Sequence, residues 1–196
     1  VIYFLHARQD PTFAKLMLQS VRTYMADEGI VQLTDEETPS IDGCSVKRLP
    51  WTHLNPMIFK MEHLSKINPG LVLDTDVIVQ SDLRHVFKLP FDMALTWRDG
   101  PIRDPDGNDI TKTMPINCGV MFHRSQAFWY DCLRWCEGRD PGWYADQLAV
   151  AAIAPRFNVL RLHTDNFNYT PKTKDEDVSM RLAVHYKGKR KEWMLG

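Results

Sequence analysis

Cysteine is scarce and unpaired in this chain. Its four residues, Cys44, Cys118, Cys132 and Cys136, form no Cys-x-x-Cys pair, which removes the usual zinc and thiol-redox motifs. Cys132 and Cys136 lie one helical turn apart beside Phe128 and Trp129, so they read as small buried hydrophobes in a reducing compartment, and the expected location is cytoplasmic. No run of eighteen apolar residues occurs, which excludes a membrane-spanning helix. The opening Val1-Ile2-Tyr3-Phe4-Leu5 is too short for a secretory core and reads as a buried strand. An excess of one charge is also missing: 24 Lys and Arg stand against 25 Asp and Glu, a net charge of −1, so no global basic field draws nucleic acid. There is no internal repeat and no low-complexity segment. What remains is 196 residues of ordinary globular composition, enough to bury roughly 70% of the unfolded surface in one domain, residues 1–196.

Within that length, helical and extended patterns alternate. Thr12 to Met25 places Phe13, Leu16, Met17, Val21, Tyr24 and Met25 at helical spacing. Ile30 to Leu33 and Val46 to Leu49 read as short strands, and Pro56 opens a second helix that Asn68-Pro69-Gly70 ends. Leu71 to Val79, Met93 to Trp97, Ile116 to Phe122, Asn158 to Leu162 and Arg181 to Tyr186 are further strand candidates. Gln126 to Cys136 and Ala145 to Ala154 are helices. The polar loop from Arg98 to Thr113 carries Pro101, Pro105 and an Asp106-Gly107 turn, and Lys172 to Ser179 is charged and reads as mobile. This order predicts an α/β domain with a sheet covered by helices on both faces.

The sharpest chemical signal is Leu71-Val72-Leu73-Asp74-Thr75-Asp76-Val77-Ile78-Val79. As one buried strand, it would put Asp74 and Asp76 on the same face. Paired carboxylates in an apolar layer repel, and each costs several kcal/mol to desolvate. A divalent cation with a preference for oxygen, Mg²⁺ or Mn²⁺, would compensate. The plainer reading is that one Asp caps a turn and the other pairs with a Lys or Arg. A second cluster is Ala183-Val184-His185-Tyr186-Lys187-Gly188-Lys189-Arg190-Lys191. Its glycine turn and ammonium groups suit a polyphosphate, and His185 suits a borderline metal such as Mn²⁺; a solvated basic tail with an incidental histidine is the competing reading.

Together these segments resemble the GT-A fold glycosyltransferases, with the closest likeness to the family 8 group that includes glycogenin and bacterial lipopolysaccharide sugar transferases. The aliphatic Asp74-Thr75-Asp76 strand with Asp82-Leu83, the Asn117-Cys118-Gly119-Val120 strand, the Asp146-Gln147 pair and the ending His185-Tyr186-Lys187-Gly188-Lys189-Arg190-Lys191 carry it in order, with Asn166-Phe167-Asn168-Tyr169 before that ending. The resemblance implies a mainly parallel mixed central sheet flanked by helices. It implies metal-dependent transfer of a sugar from a nucleoside diphosphate donor, usually UDP-linked, with retention of configuration, to a carbohydrate, lipid-linked or protein acceptor. It implies that Asp74, Asp76 and His185 hold the metal, with Thr75 beside them at the donor. Gly188 and Lys191 would bind the diphosphate, and Asn117, Gly119, Asp146 and Gln147 would line the sugar and acceptor pocket. Lys60 stands where the family usually has an arginine reaching the donor, without the planar bidentate grip. Same-face attack needs no second carboxylate; a double displacement would call on Asp146.

Of the six tryptophans, Trp129 reads as core, and Trp143 and Trp97 are the sugar-stacking candidates. His6, His53, His63, His85, His123 and His163 show no metal spacing. The loops 98–113 and 172–179 are candidate lids. Two other readings use the same residues: a phosphohydrolase of the haloacid dehalogenase type, with Asp74 as nucleophile and Asp76 as general acid, and a nucleotide-sugar-binding module without turnover.

Overall fold

The computed structural model describes residues 1–53, 55–98, 100–103 and 107–196. The expected turn at Pro105 and Asp106 falls outside them. The chain runs β1 (Ile2–Leu5), α1 (Thr12–Tyr24), β2 (Ile30–Thr34), β3 (Ser45–Arg48), α2 (Pro56–Leu64), β4 (Gly70–Leu73), β5 (Val77–Val79) and β6 (Met93–Trp97). It continues with β7 (Ile116–His123), α3 (Gln126–Cys136), α4 (Ala145–Ile153), β8 (Val159–His163), α5 (Thr164–Phe167) and β9 (Ala183–His185). Seven strands form one sheet in the order β3-β2-β1-β4-β7-β6-β8, and β5 pairs with β9 in a second, two-stranded sheet. The large sheet is parallel except where β7 runs against β4 and β6. This is the helix-covered α/β sheet the element order predicts, with the mainly parallel strands the resemblance implies.

The alternation along each central strand explains the layers. Ile2, Phe4, Leu71, Leu73, Val120 and Phe122 point to one face, where α1 packs through Ala14, Met17, Leu18 and Val21 alongside Val77, Val79 and Ala183 of the small sheet. Tyr3, Val72 and Met121 point to the other, against Met61 and Leu64 of α2, Phe128, Trp129 and Cys132 of α3 and Ala149 and Val150 of α4. Each large apolar side chain buried in this way contributes about 1.5–3 kcal/mol. The N-terminus of α2 is fixed by Asn55, whose side chain accepts from Met57 N at 2.9 Å, with Pro56 at the first helical position. No helix among the described residues is long and apolar enough to cross a membrane.

One expectation is corrected. Leu71 to Val79 is not a single strand. Asp74 N donates to Gly119 O at 2.9 Å as the last contact of β4 with β7, and Tyr186 N donates to Asp76 O at 2.8 Å as the first contact of β5 with β9. Between them a turn closes, with Val77 N donating to Asp74 O at 3.2 Å. The chain leaves the large sheet where its carboxylates begin, because a strand continuing through the apolar layer would desolvate both of them. In the segment 172–179, Glu176 accepts from the Tyr169 hydroxyl and, at 2.6 Å, from Lys172 N.

Candidate functional site

A cavity of about 730 Å³ opens at the C-terminal ends of β1, β4 and β6, with the antiparallel start of β7 on the same edge. Sheets of this kind take ligands at this edge. Its wall includes Lys60, Asp74, Thr75, Asp76, Asn117, Asp146, Gln147, His185, Gly188 and Lys191. Elements far apart in sequence therefore bring these ten predicted residues together. Gly119 is not in the wall.

Asp74 and Asp76 converge through the turn, not through strand alternation. His185 reaches them because β9 runs antiparallel to β5 and pairs His185 with Val77, one residue past Asp76. His185 Nε2 stands 3.1 Å from Asp76 Oδ1 and 3.9 Å from Asp74 Oδ2. One ligand atom from each of the three lies within 4.8 Å of the others. Two carboxylate oxygens and an imidazole nitrogen are a donor set that fits Mn²⁺ or Mg²⁺. Lys191 Nζ stands 3.1 Å from Asp76 Oδ2. Burial works against ionisation of Asp76, but His185 and Lys191 outweigh it and hold the carboxyl well below its ordinary range.

Behind the acids, Lys60 is buried on α2. Its three N–H groups are directed at Asp74 Oδ1 (2.6 Å), Asp146 Oδ2 (3.4 Å) and the Cys118 carbonyl (3.5 Å). Burial opposes the charge on Lys60, and the carboxylates of Asp74 and Asp146 more than restore it. Asp146 is pushed upward, first by burial, against the pull of Lys60. Gln147 is held by Arg98, whose guanidinium also donates to Met114 O.

The cavity lining also carries cations. Arg98, Lys187 and Arg190 line the cavity, and none has a carboxylate partner among the described residues. Lys187 is pushed down to about 8 by burial and by repulsion from Arg98 and Arg190. The Arg190 Nε is buried without a hydrogen-bond partner among the described residues. The basic ending is a 3-10 helix, Gly188–Leu195, entered through Gly188 at φ +64°. Trp143 lines the mouth and is 63% exposed. Trp97 is not in the wall; its ring is covered by the Arg161 guanidinium at 4.4 Å. Of the candidate lids, the 98–113 loop supplies Arg98, Ile102, Arg103 and Ile110 to the wall. Sequence reasoning missed Arg98 and named Lys187 only among the ammonium groups of the basic ending that suit a polyphosphate. The signals available were a cation at the C-terminal end of an apolar strand and a lysine just after the strand bearing His185.

No protein-family model and no curated protein sequence matches this chain. Solved structures do. The bifunctional glycosyltransferase WbbM superposes with a TM-score of 0.65 at 13% identity, over 96% of this chain and 45% of that one. The glycosyltransferase GlyE of Streptococcus pneumoniae TIGR4 gives 0.64 at 14%, over 98% and 59%. The galactosyltransferase LgtC, solved with donor and acceptor sugar analogues, gives 0.61 at 15%, over 96% and 87%. The chain thus spans about half the length of WbbM and GlyE. The fold is that of the GT-A glycosyltransferases.

Proposed function

We propose that this chain transfers a sugar from a nucleoside diphosphate donor, UDP-linked, to a carbohydrate, lipid-linked or protein acceptor, in the manner of the family 8 enzymes. One observation carries the reading: Asp74, Asp76 and His185 converge to within 4.8 Å at a cavity whose lining also holds Arg98, Lys187 and Arg190, none with a carboxylate partner among the described residues. A cation-binding cluster sharing a cavity with such cations is what a metal-bound diphosphate requires. The free cysteines fit a cytoplasmic setting.

In this reading Asp74, Asp76 and His185 would hold Mn²⁺ or Mg²⁺, with Thr75 at the donor. When bound, the ion supplies Lewis-acid stabilisation of the charge that develops on the departing diphosphate. Lys191, Lys187 and Arg190, with the backbone at Gly188, add fixed positive potential toward the same oxygens. Lys60 keeps Asp74 oriented and balances Asp146. Asn117 and Gln147 present amides to the sugar, and Arg98 fixes the Gln147 side chain. Trp143 offers a stacking face for the acceptor. Asp146 is enclosed and ion-paired, which suits a polar wall better than a nucleophile. Same-face attack with retention, in which the leaving phosphate takes the acceptor proton, asks no further carboxylate of the chain.

The test is a thermal-shift panel of nucleotides and nucleotide sugars, with and without Mn²⁺, on the unaltered chain and on Asp76→Ala. A ligand at 100 times its Kd stabilises by about 2.7 kcal/mol, so UDP should raise the melting temperature in a Mn²⁺-dependent way that the substitution abolishes. No shift with any nucleotide would overturn the proposal. Binding without transfer or hydrolysis would favour the binding module, and Mg²⁺-dependent hydrolysis of a generic phosphate ester would favour the phosphohydrolase.

A further inference from the structure

Asn168 lies behind the site, 1% exposed, between α5 and β9. Its amide has one acceptor and one two-hydrogen donor, and its neighbours decide which end is which. The Asn117 carbonyl oxygen can only accept, and Asn168 Nδ2 stands 3.2 Å from it. Thr96 Oγ1 gives its single hydrogen to that same carbonyl at 2.7 Å. Only lone pairs of Thr96 Oγ1 are then left to face Asn168 Nδ2, 2.8 Å away. Both contacts require the amide nitrogen on that side, so Asn168 Oδ1 must face His185 Nδ1, at 2.9 Å.

An amide oxygen can only accept, so Nδ1 of His185 carries a hydrogen. In a neutral imidazole Nε2 is then the bare nitrogen, and Nε2 is the atom turned toward Asp76 and Asp74. A proton on Nε2 pairs it with Asp76, and a cation in place of that proton would take Nε2 as a ligand. A second observation concerns space. A Cβ on Gly119 would come within 2.3 Å of His185 Nδ1, 2.4 Å of its Cε1 and 3.0 Å of Asn168 Oδ1. The imidazole and its amide partner therefore lie flat on the β7 backbone, where only glycine leaves room.

We infer that Asn168 is a positioning residue. Directed by Thr96 and the Asn117 carbonyl, it fixes the Nδ1–H form of His185 and presents Nε2 to the cation site, and Gly119 is the glycine that makes room for the pair. The inference rests on the metal reading proposed above and assigns to Asn168 and Gly119 the orientation of one ligand. It moves Gly119 from the sugar pocket to the support of the imidazole.

Two measurements test it. In metal-free protein labelled with ¹⁵N-histidine, the His185 ring should show a protonated Nδ1; in Asn168→Leu the ring proton should redistribute toward Nε2, which faces Asp76. Mn²⁺ binding, followed by electron paramagnetic resonance with and without UDP, should weaken about 10–100-fold in Asn168→Leu, the usual effect of losing an outer-shell partner. A bare Nδ1 in the unaltered chain would overturn the assignment to Asn168 even if Mn²⁺ binds, and this result does not depend on the variant folding. Unchanged Mn²⁺ affinity in a folded Asn168→Leu would also overturn it. No Mn²⁺ binding by the unaltered chain, with or without UDP, would sink the metal reading and this inference together.

Discussion

Lys60 donates to Asp74 Oδ1 at 2.6 Å from a side chain only 3% exposed, so the first acid of the Asp-x-Asp pair carries its own buried counter-ion. The same ammonium stands 3.4 Å from Asp146 on α4. Lys60→Met should leave Asp146 as an uncompensated buried carboxyl and cost about 3–5 kcal/mol of stability. Adding Asp146→Leu should recover part of that loss. Urea unfolding of the two single variants and the double variant measures the coupling, and strict additivity would show that the pair does not act as a unit.

Two glycines make a matched comparison. A Cβ at Gly70 would stand 2.6 Å from both the Tyr3 ring and the Val1 carbonyl, whereas one at Gly119 would meet the His185 ring. Both alanine variants should lose about 1–3 kcal/mol through overpacking. Only Gly119→Ala should also weaken Mn²⁺ binding. Equal metal affinity in the two would count against the placement of His185.

Acid sensitivity should begin well above the carboxylate range. His63 and His123 are each pushed down to about 4, first by burial. Each has its Nε2 on a carbonyl, Thr34 O and Asn68 O respectively, and its Nδ1 buried without a partner among the described residues. The unfolded chain, with these groups near 6.5, binds more protons between about pH 4 and 6.5 than the native one, so stability should fall as pH drops through that window. Asp35, held at about 2 by Thr38 and Arg8 despite its burial, loses its contribution only further down, below about pH 4. Urea midpoints at pH 7.5 and 5.5 check this, and the double variant His63→Gln, His123→Gln should have the flatter profile.

The α2 cap reaches the rim of the cavity. Asn55 accepts from Met57 N and donates through Nδ2 to Gly142 O at 2.6 Å, on the 3-10 turn that carries Trp143. Asn55→Ala should cost about 1 kcal/mol. Asn55→Asp keeps the cap and loses the second bond, so it should keep most of the stability while weakening acceptor binding more than UDP binding. A chemical unfolding curve and separate titrations read the two effects apart.

Lys187 has no carboxylate partner among the described residues and lines the cavity, so Lys187→Met should leave stability unharmed or slightly raised. It should weaken UDP about tenfold or more, as expected for loss of a charge-assisted bond. Calorimetric titration with UDP and Mn²⁺ gives the answer, and undiminished affinity would place the diphosphate elsewhere.

Much of this was legible in sequence for local reasons. Gln126–Cys136 and Met93–Trp97 match the expected elements residue for residue, because their apolar spacing is a property of a few neighbouring residues. Leu71 to Val79 was misread as one strand, because its break depends on partners, β7 for the first half and β9 for the second, that lie far along the chain. The acids at 74 and 76 and the imidazole at 185 could be nominated from residue type, but Lys60 filling its three donors on Asp74, Asp146 and Cys118 could not. Arg98 gave only the signal of a cation near a strand end, whereas Lys187 stood out as part of the basic ending.

By itself the sequence determined the strands and helices, the apolar faces that stack them and which side chains carry ionisable chemistry, since those follow from periodicity and functional groups. Only the tertiary structure decided that His185 meets the two aspartates, which of its nitrogens faces them, and that Asn168 and Gly119 stand behind the ring. Those are relations between residues brought together by antiparallel pairing and close packing, and no local spacing in the chain encodes such distances.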